Sequence, residues 1–162
     1  MSDEIECIRA DLTNPDHGQA IIQLLDMYAS DPCGGAESLS EYSKTNLISE
    51  LIRRPTAHIF LAKMNDNYVG LANCFEGFST FLCKPILNIH DFAVDTNYRR
   101  RGISKSLLAA VEQHAKLLGC CKVTLEVLDN NIPAKNAYLS FGFEQYALDP
   151  KLGGAIFFQK YC

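Results

Sequence analysis

Tryptophan is absent from this 162-residue chain and methionine occurs three times. No apolar run approaches the roughly 20 residues that cross a bilayer as a helix, so no membrane association is expected. A basic excess is also missing. Fifteen Lys and Arg against 19 Asp and Glu leave a formal net charge of −4, which argues against a general nucleic-acid binder. Neither GxGxxG nor GxxxxGK[ST] occurs, which removes the dinucleotide-fold and P-loop readings. The seven cysteines, at 7, 33, 74, 83, 120, 121 and 162, form no CxxC pair and no Cys/His zinc spacing. An odd, irregular set predicts reduced thiols, mostly buried small hydrophobes, in a cytoplasmic protein without a metal. The acidic start Met1-Ser2-Asp3-Glu4 has no apolar stretch behind it, so no secretory leader is expected.

What is present is the composition of a globular domain: 48% hydrophobic and 21% charged residues. No repeat, linker or low-complexity tract divides it, and one domain over residues 1–162 is expected. Residues 5–8 read as a short strand. Residues 15–29 carry Ile21, Ile22, Leu24, Leu25 and Tyr28 at helical spacing behind the cap-like Asn14-Pro15. A second helix is predicted over 39–53, with Leu47, Ile48, Leu51 and Ile52 inward. The period then changes. Strands are predicted at 58–64 and 68–78 around the turn Asn65-Asp66-Asn67, then at 86–94 and 122–128. Leu107, Leu108, Val111, Ala115 and Leu118 make one apolar helical face between the last two, ended by Gly119, so that pair is a parallel crossover. A helix at 133–140 and strands at 143–147 and 155–161 complete the order β-α-α-β-β-β-α-β-α-β-β.

One junction carries chemistry. Arg99-Arg100-Arg101-Gly102-Ile103-Ser104 follows the apolar strand segment Ile89-His90-Asp91-Phe92-Ala93-Val94 and opens the crossover helix. Arginines and a glycine sit where helix-start amides point outward, an arrangement that captures phosphates. Three arginines alone are equally a solvated loop. A second segment, Asn131-Ile132-Pro133-Ala134 through Tyr138 to Gly142-Phe143, lies one helix and one strand downstream.

Together these segments resemble the GCN5-related N-acetyltransferases (GNAT). Arg99 to Ser104 follow that family's Gln/Arg-x-x-Gly-x-Gly/Ala phosphate signature, with Ser104 for its last small residue. Asn131 to Phe143 follow its Asn-x-x-Ala-x-x-x-Tyr-x-x-x-Gly-Phe pattern throughout. The resemblance implies an α/β (α+β) GNAT fold with a mixed sheet of six to seven strands and about four helices on both faces. It implies acetyl-CoA as co-substrate, held by Phe92, Ala93, Val94, Arg99, Arg100, Arg101, Gly102, Ile103, Ser104 and Lys105, with Asn131 on the other side of the pantetheine arm. Tyr138 matches the family's general acid, placed to protonate the leaving thiolate.

The base is open between Glu126, Asp91 and His90. Glu126 lies twelve residues before Tyr138, as in ribosomal-protein N-terminal acetyltransferases, and falls in the predicted strand 122–128, where an unpaired carboxylate is costly. The segment Ile89 to Val94 resembles the Leu-Glu-Asp-Phe-Phe-Val stretch of diamine acetyltransferases, with His90 for the glutamate. In a regular strand His90 and Asp91 point to opposite faces, so only one faces an acceptor unless a bulge intervenes. Each residue also has a plain structural role: Tyr138 as a packed ring, Asn131 as a helix cap, His90 as a hydrogen-bonded strand residue. Asp31, Glu37 and Glu41 either attract a cationic acceptor or form a solvated acidic surface. The expected reaction is acetyl transfer to the primary amine of a small cationic molecule (polyamine, aminoglycoside or amino-acid derivative) by direct attack. The alternatives are a peptide or protein amine, and a non-catalytic acyl-CoA-binding module. Relatives of this fold are often dimers, so a homodimer is a further expectation.

Overall fold

The computed structural model describes residues 4–162; the acidic start at residues 1–3 lies outside the described residues. Five strands and four helices follow in the order β1 (Ile5–Arg9), α1 (Pro15–Ser30), α2 (Glu41–Ile52), β2 (Ala57–Met64), β3 (Asn67–Ser79), β4 (Lys84–Val94), α3 (Ile103–Leu117), β5 (Lys122–Leu125) and α4 (Ile132–Phe141). Short 3-10 turns stand at Thr96–Tyr98 and Pro150–Leu152. The strands form one sheet in chain order; β1 to β4 are antiparallel, and β5 joins β4 in parallel after the crossover through α3. The mixed α+β architecture expected from the sequence is present.

Three expectations about the sheet and the cysteines are corrected. The sheet has five strands, not six or seven, because 143–147 and 155–161 form none. Alternating apolar residues make a segment able to pair, but pairing also needs an edge. Beyond α4 the chain runs outside the sheet, leaving Ile156, Phe157, Phe158 and Tyr161 exposed. Second, β5 stops at Leu125 rather than 128, so Glu126 lies beyond the strand and is exposed, not enclosed between two layers. Third, Cys33, Cys83 and Cys162 are exposed and only Cys74 is buried, although all seven thiols are free. Burial pushes the Cys74 thiol up to about 12 and Cys7 up to about 11, which makes both poor nucleophiles.

Local chemistry sets the element ends. Asn14 caps α1 by accepting from the Asp16 amide at 2.9 Å, with Pro15 in the first turn. Ser40 caps α2 through the Ser43 amide at 3.0 Å. Asn65 and Asp66 take positive φ (48° and 65°), as a two-residue hairpin between β2 and β3 requires. One core layer lies between the sheet and α3, built on Phe60, Val69, Leu87, Leu107, Leu108 and Val111. The other lies under α1 and α2, on Ile21, Leu24, Leu51, Ile59, Leu61 and Leu71. Ile52 was expected to face inward but is half exposed at the end of α2, where Leu51 takes the buried place.

Two features fix α3 against the sheet. At its start, Gly70 of β3 lets the helix approach closely: a Cβ there would lie 2.8 Å from Leu107 Cδ1, 3.0 Å from Ile103 Cγ2 and 3.2 Å from Ala62 Cβ. At its end, Glu76 Oε1 is 2.6 Å from His58 Nε2, and His58 Nδ1 is 3.0 Å from His114 Nε2. This chain links β3, β2 and α3. Burial, and then the facing His58, hold His114 below its ordinary value of 6.5; Arg9 acts the same way and Glu76 opposes it.

Overpacking gives the first prediction: Gly70→Val destabilises the fold by about 1–3 kcal/mol, read by chemical denaturation. The second concerns pH. The unfolded chain binds a proton at His114 more readily than the folded chain, so this contribution to stability is full above about pH 6.5 and is lost as pH falls below it. Denaturation midpoints at about pH 5 and about pH 8 should therefore converge in His114→Gln relative to the parent protein.

Candidate active site

The site begins where β4 leaves its neighbour. Residues 86–89 of β4 pair with 122–125 of β5, ending at Ile89↔Leu125, and 90–94 of β4 have no partner on that side among the described residues. Asn88 Nδ2 donates to Thr124 Oγ1 at 3.1 Å just before the strands part. On its other side β4 stays paired with β3, but the register slips: Cys74 faces Ile89, Asn73 faces Asp91, and His90 is the extra residue. The packing shows the same slip. Leu87 and Ile89, then Phe92 and Val94, pack on the α3 side, a phase change that a regular strand does not allow.

The bulge settles which way the two polar residues point. Phe75 and Leu71 of β3 pack toward α1 and α2. Asn73, between them, shares that face and donates from Nδ2 to Asp91 Oδ2 at 2.9 Å. His90 makes an edge contact with the Phe75 ring, centroids 5.7 Å apart. His90 and Asp91 therefore both lie on the α1 side, His90 exposed and Asp91 half buried. From α1, Tyr28 comes within electrostatic range of Asp91; burial, then that carboxylate, raise the Tyr28 phenol above its ordinary value.

Tyr138 of α4 packs edge-on against Phe92 and Phe143, each centroid 5.9 Å away. Burial, with Tyr28 adding, pushes its phenol up to about 12. Such a hydroxyl keeps its proton through the neutral and moderately alkaline range and is equipped to donate it. Asn131 caps α4, its Oδ1 accepting from the Ala134 amide at 3.4 Å. Glu126 is exposed just past β5, at the opening between the strands.

Past Val94 the chain turns through Asp95, whose carboxylate caps the 3-10 turn by accepting from the Asn97 amide at 2.9 Å. Arg100 and Gly102 both adopt positive φ, 62° and 87°, and Gly102 is the residue before α3. Among the described residues no side chain caps that helix start. The amides of Ile103, Ser104 and Lys105 thus open α3 with their dipole uncompensated, beside the exposed side chains of Arg99, Arg100 and Arg101. Arg101 stacks over the Tyr98 ring at 5.5 Å, and Arg99 reaches Asp31 at the end of α1 at 3.7 Å. The half-buried Ser104 is small enough for close approach. The arrangement suits a phosphate-bearing ligand whose remainder runs along the unpaired edge of β4. A separate groove of about 470 Å³, lined by Leu12, Asn14, Gly18, Gln19, Ile22 and Ile48, lies away from this cleft and carries no titratable cluster.

The sequence did not single out Tyr28, read there only as part of an apolar helix face, nor Asn73, nor the supporting Asn88, Phe75, Asp95 and Tyr98. The available signal for Asn73 was a lone amide in the apolar run 69–75.

Residues 20–143 match the model of the Acetyltransferase (GNAT) family, and the chain belongs to that family. It is 33% identical over 120 residues to an L-ornithine N5-acetyltransferase of Arabidopsis thaliana, covering 71% of this chain and 53% of that protein. It is 39% identical over 54 residues to a spermine/spermidine N(1)-acetyltransferase of Bacillus subtilis (strain 168), 33% of this chain and 36% of that one. The chain thus spans about half of the first relative and about a third of the second. An aminoglycoside N-acetyltransferase solved in complex with CoA shares the fold, with TM-score 0.77 and 17% identity over 100% of this chain and 98% of that one.

The helix-start turn yields a third prediction. A Cβ on Gly102 would meet nothing closer than Ile5 Cδ1 at 3.9 Å, so the cost of a side chain there is conformational, not steric. Gly102→Ala should lower stability by about 1 kcal/mol in urea denaturation.

Proposed function

We propose that this protein transfers the acetyl group of acetyl-CoA to the primary amine of a small cationic molecule by direct attack in a ternary complex. The observation that carries the reading is the parting of β4 and β5 at Ile89↔Leu125, flanked by Asp91 on one side and the protonated Tyr138 on the other. The Arg99–Ser104 turn and the α3 start suit the pyrophosphate, with Lys105 beside them; the free edge of Phe92, Ala93 and Val94 suits the amide-bearing arm, for which Asn131, the cap of α4, is the further candidate contact.

Asp91 is the carboxylate positioned to receive an ammonium group. An amine attacks only after losing a proton, and His90 and Glu126, both exposed at the opening, are the groups able to pass that proton to solvent. The new N–C bond then forms as the C–S bond breaks, and Tyr138 gives its hydroxyl proton to the leaving thiolate. The acceptor class rests on Asp91 and on the relatives, whose names specify ornithine, spermine or spermidine, and aminoglycosides.

Thiol release from acetyl-CoA, measured with ornithine, spermidine, an aminoglycoside and a short peptide, tests the reading. Turnover with the small cationic amines is expected. Activity on the peptide alone would replace the acceptor class, and CoA binding without turnover on any amine would leave a binding module. Tyr138→Phe should reduce kcat by about 100-fold while CoA affinity is retained; full activity in this variant would remove Tyr138 as the acid.

A further inference from the structure

Asn73 is 3% exposed, one of two buried polar residues described, and it sits among apolar neighbours on β3. Its Nδ2 donates to Asp91 Oδ2 at 2.9 Å, yet its Oδ1 is buried with no hydrogen-bond partner among the described residues. An orphaned buried amide oxygen is destabilising, and an apolar side chain of similar size would avoid that cost. Among the described residues the amide's one hydrogen-bond partner is Asp91. That bond spans the site where the β3–β4 register slips, since Asn73 faces Asp91 and the next β3 residue already faces Ile89.

We infer that Asn73 is a positioning residue for the acceptor: its amide clamps Asp91 Oδ2 across the β4 bulge and presents Oδ1 of that carboxylate to the substrate ammonium. The clamp fixes two things at once. It holds the carboxylate in one rotamer, so ammonium binding does not have to order it. It also pins the bulge, which keeps Asp91 on the α1 side with Tyr28 rather than rotated toward α3. Tyr28 and Cys74 stand within electrostatic range of Asp91, and His90, on β4 itself, packs on Phe75, but the hydrogen bond to the carboxylate comes from Asn73.

The inference rests on the reading of Asp91 as the ammonium site, and a double-mutant cycle separates the two. With spermidine or ornithine as acceptor, Asn73→Leu should raise the amine KM about tenfold. Its kcat, its acetyl-CoA KM and its melting temperature should stay near the parent values. Asp91→Asn should raise the amine KM at least as much, and adding Asn73→Leu to it should change nothing further, because the clamped group is gone. Asn73→Ser, which cannot overpack the site and keeps a shorter donor, should fall between parent and Leu. If Asp91→Asn leaves the amine KM unchanged, the ammonium site itself is wrong and the inference goes with it. If Asp91→Asn behaves as expected while Asn73→Leu is silent, or the two effects add, Asp91 stands and Asn73 has no positioning role. A Leu variant that loses stability and raises both KM values equally is also a refutation, since it marks Asn73 as structural only.

Discussion

The functional half of this molecule depends on one constraint: β4 cannot satisfy both neighbours beyond Ile89. It stays with β3, at the expense of a slipped register, and parts from β5. A regular strand would have sent His90 and Asp91 to opposite faces and closed the sheet edge. The slipped strand puts both polar side chains on the α1 side and leaves backbone hydrogen-bonding groups of 90–94 unmatched within the sheet. Unpaired backbone along β4 beyond Ile89 must be satisfied by water or a ligand. The opening is therefore a built feature of the fold, with an amide-rich partner as its natural complement.

Everything else is arranged around that opening by close packing at α3. Gly70 brings the helix start onto the sheet, and the uncapped amides after Gly102 are thereby held at the mouth rather than at a distance from it. The rest of the junction is exposed arginine, whose ion pair with Asp31 at 3.7 Å contributes little to stability in water. The geometry of this end comes from the apolar contacts of Ile103 and Leu107 with Gly70 rather than from the charges. α4 then lays Tyr138 against Phe92, so its hydroxyl sits in an environment that opposes ionisation.

Much of this was legible in the sequence because it is local. Helical period, cap residues and the Arg-Gly turn each act within a few positions, and α1, α3, α4 and the crossover appear where those signals put them. What was not legible depends on partners far along the chain. Residues 143–147 and 155–161 carry a strand-like alternation, but no alternation reveals whether an edge will accept it. Glu126 looked enclosed because the apolar run continues to Leu128; the pairing ends at Leu125, where β4 turns away. The sides taken by His90 and Asp91 hung on a bulge whose cause is the opposing strand. Asn73 and Tyr28 were hidden for the converse reason: each sits in a segment whose period is fully explained by core packing.

At the opposite end of α3 the Glu76–His58–His114 chain has a property of its own. A carboxylate only accepts, so with both imidazoles neutral His58 donates from Nε2 and its Nδ1 accepts in turn from His114 Nε2. The two imidazoles are thus locked into one joint tautomeric state, and neither can change alone without breaking a bond in the series. An extra proton on His58 has to reverse the direction of the second bond, turning His114 from donor to acceptor. Two strands and a helix are in this way made to report on a single proton count.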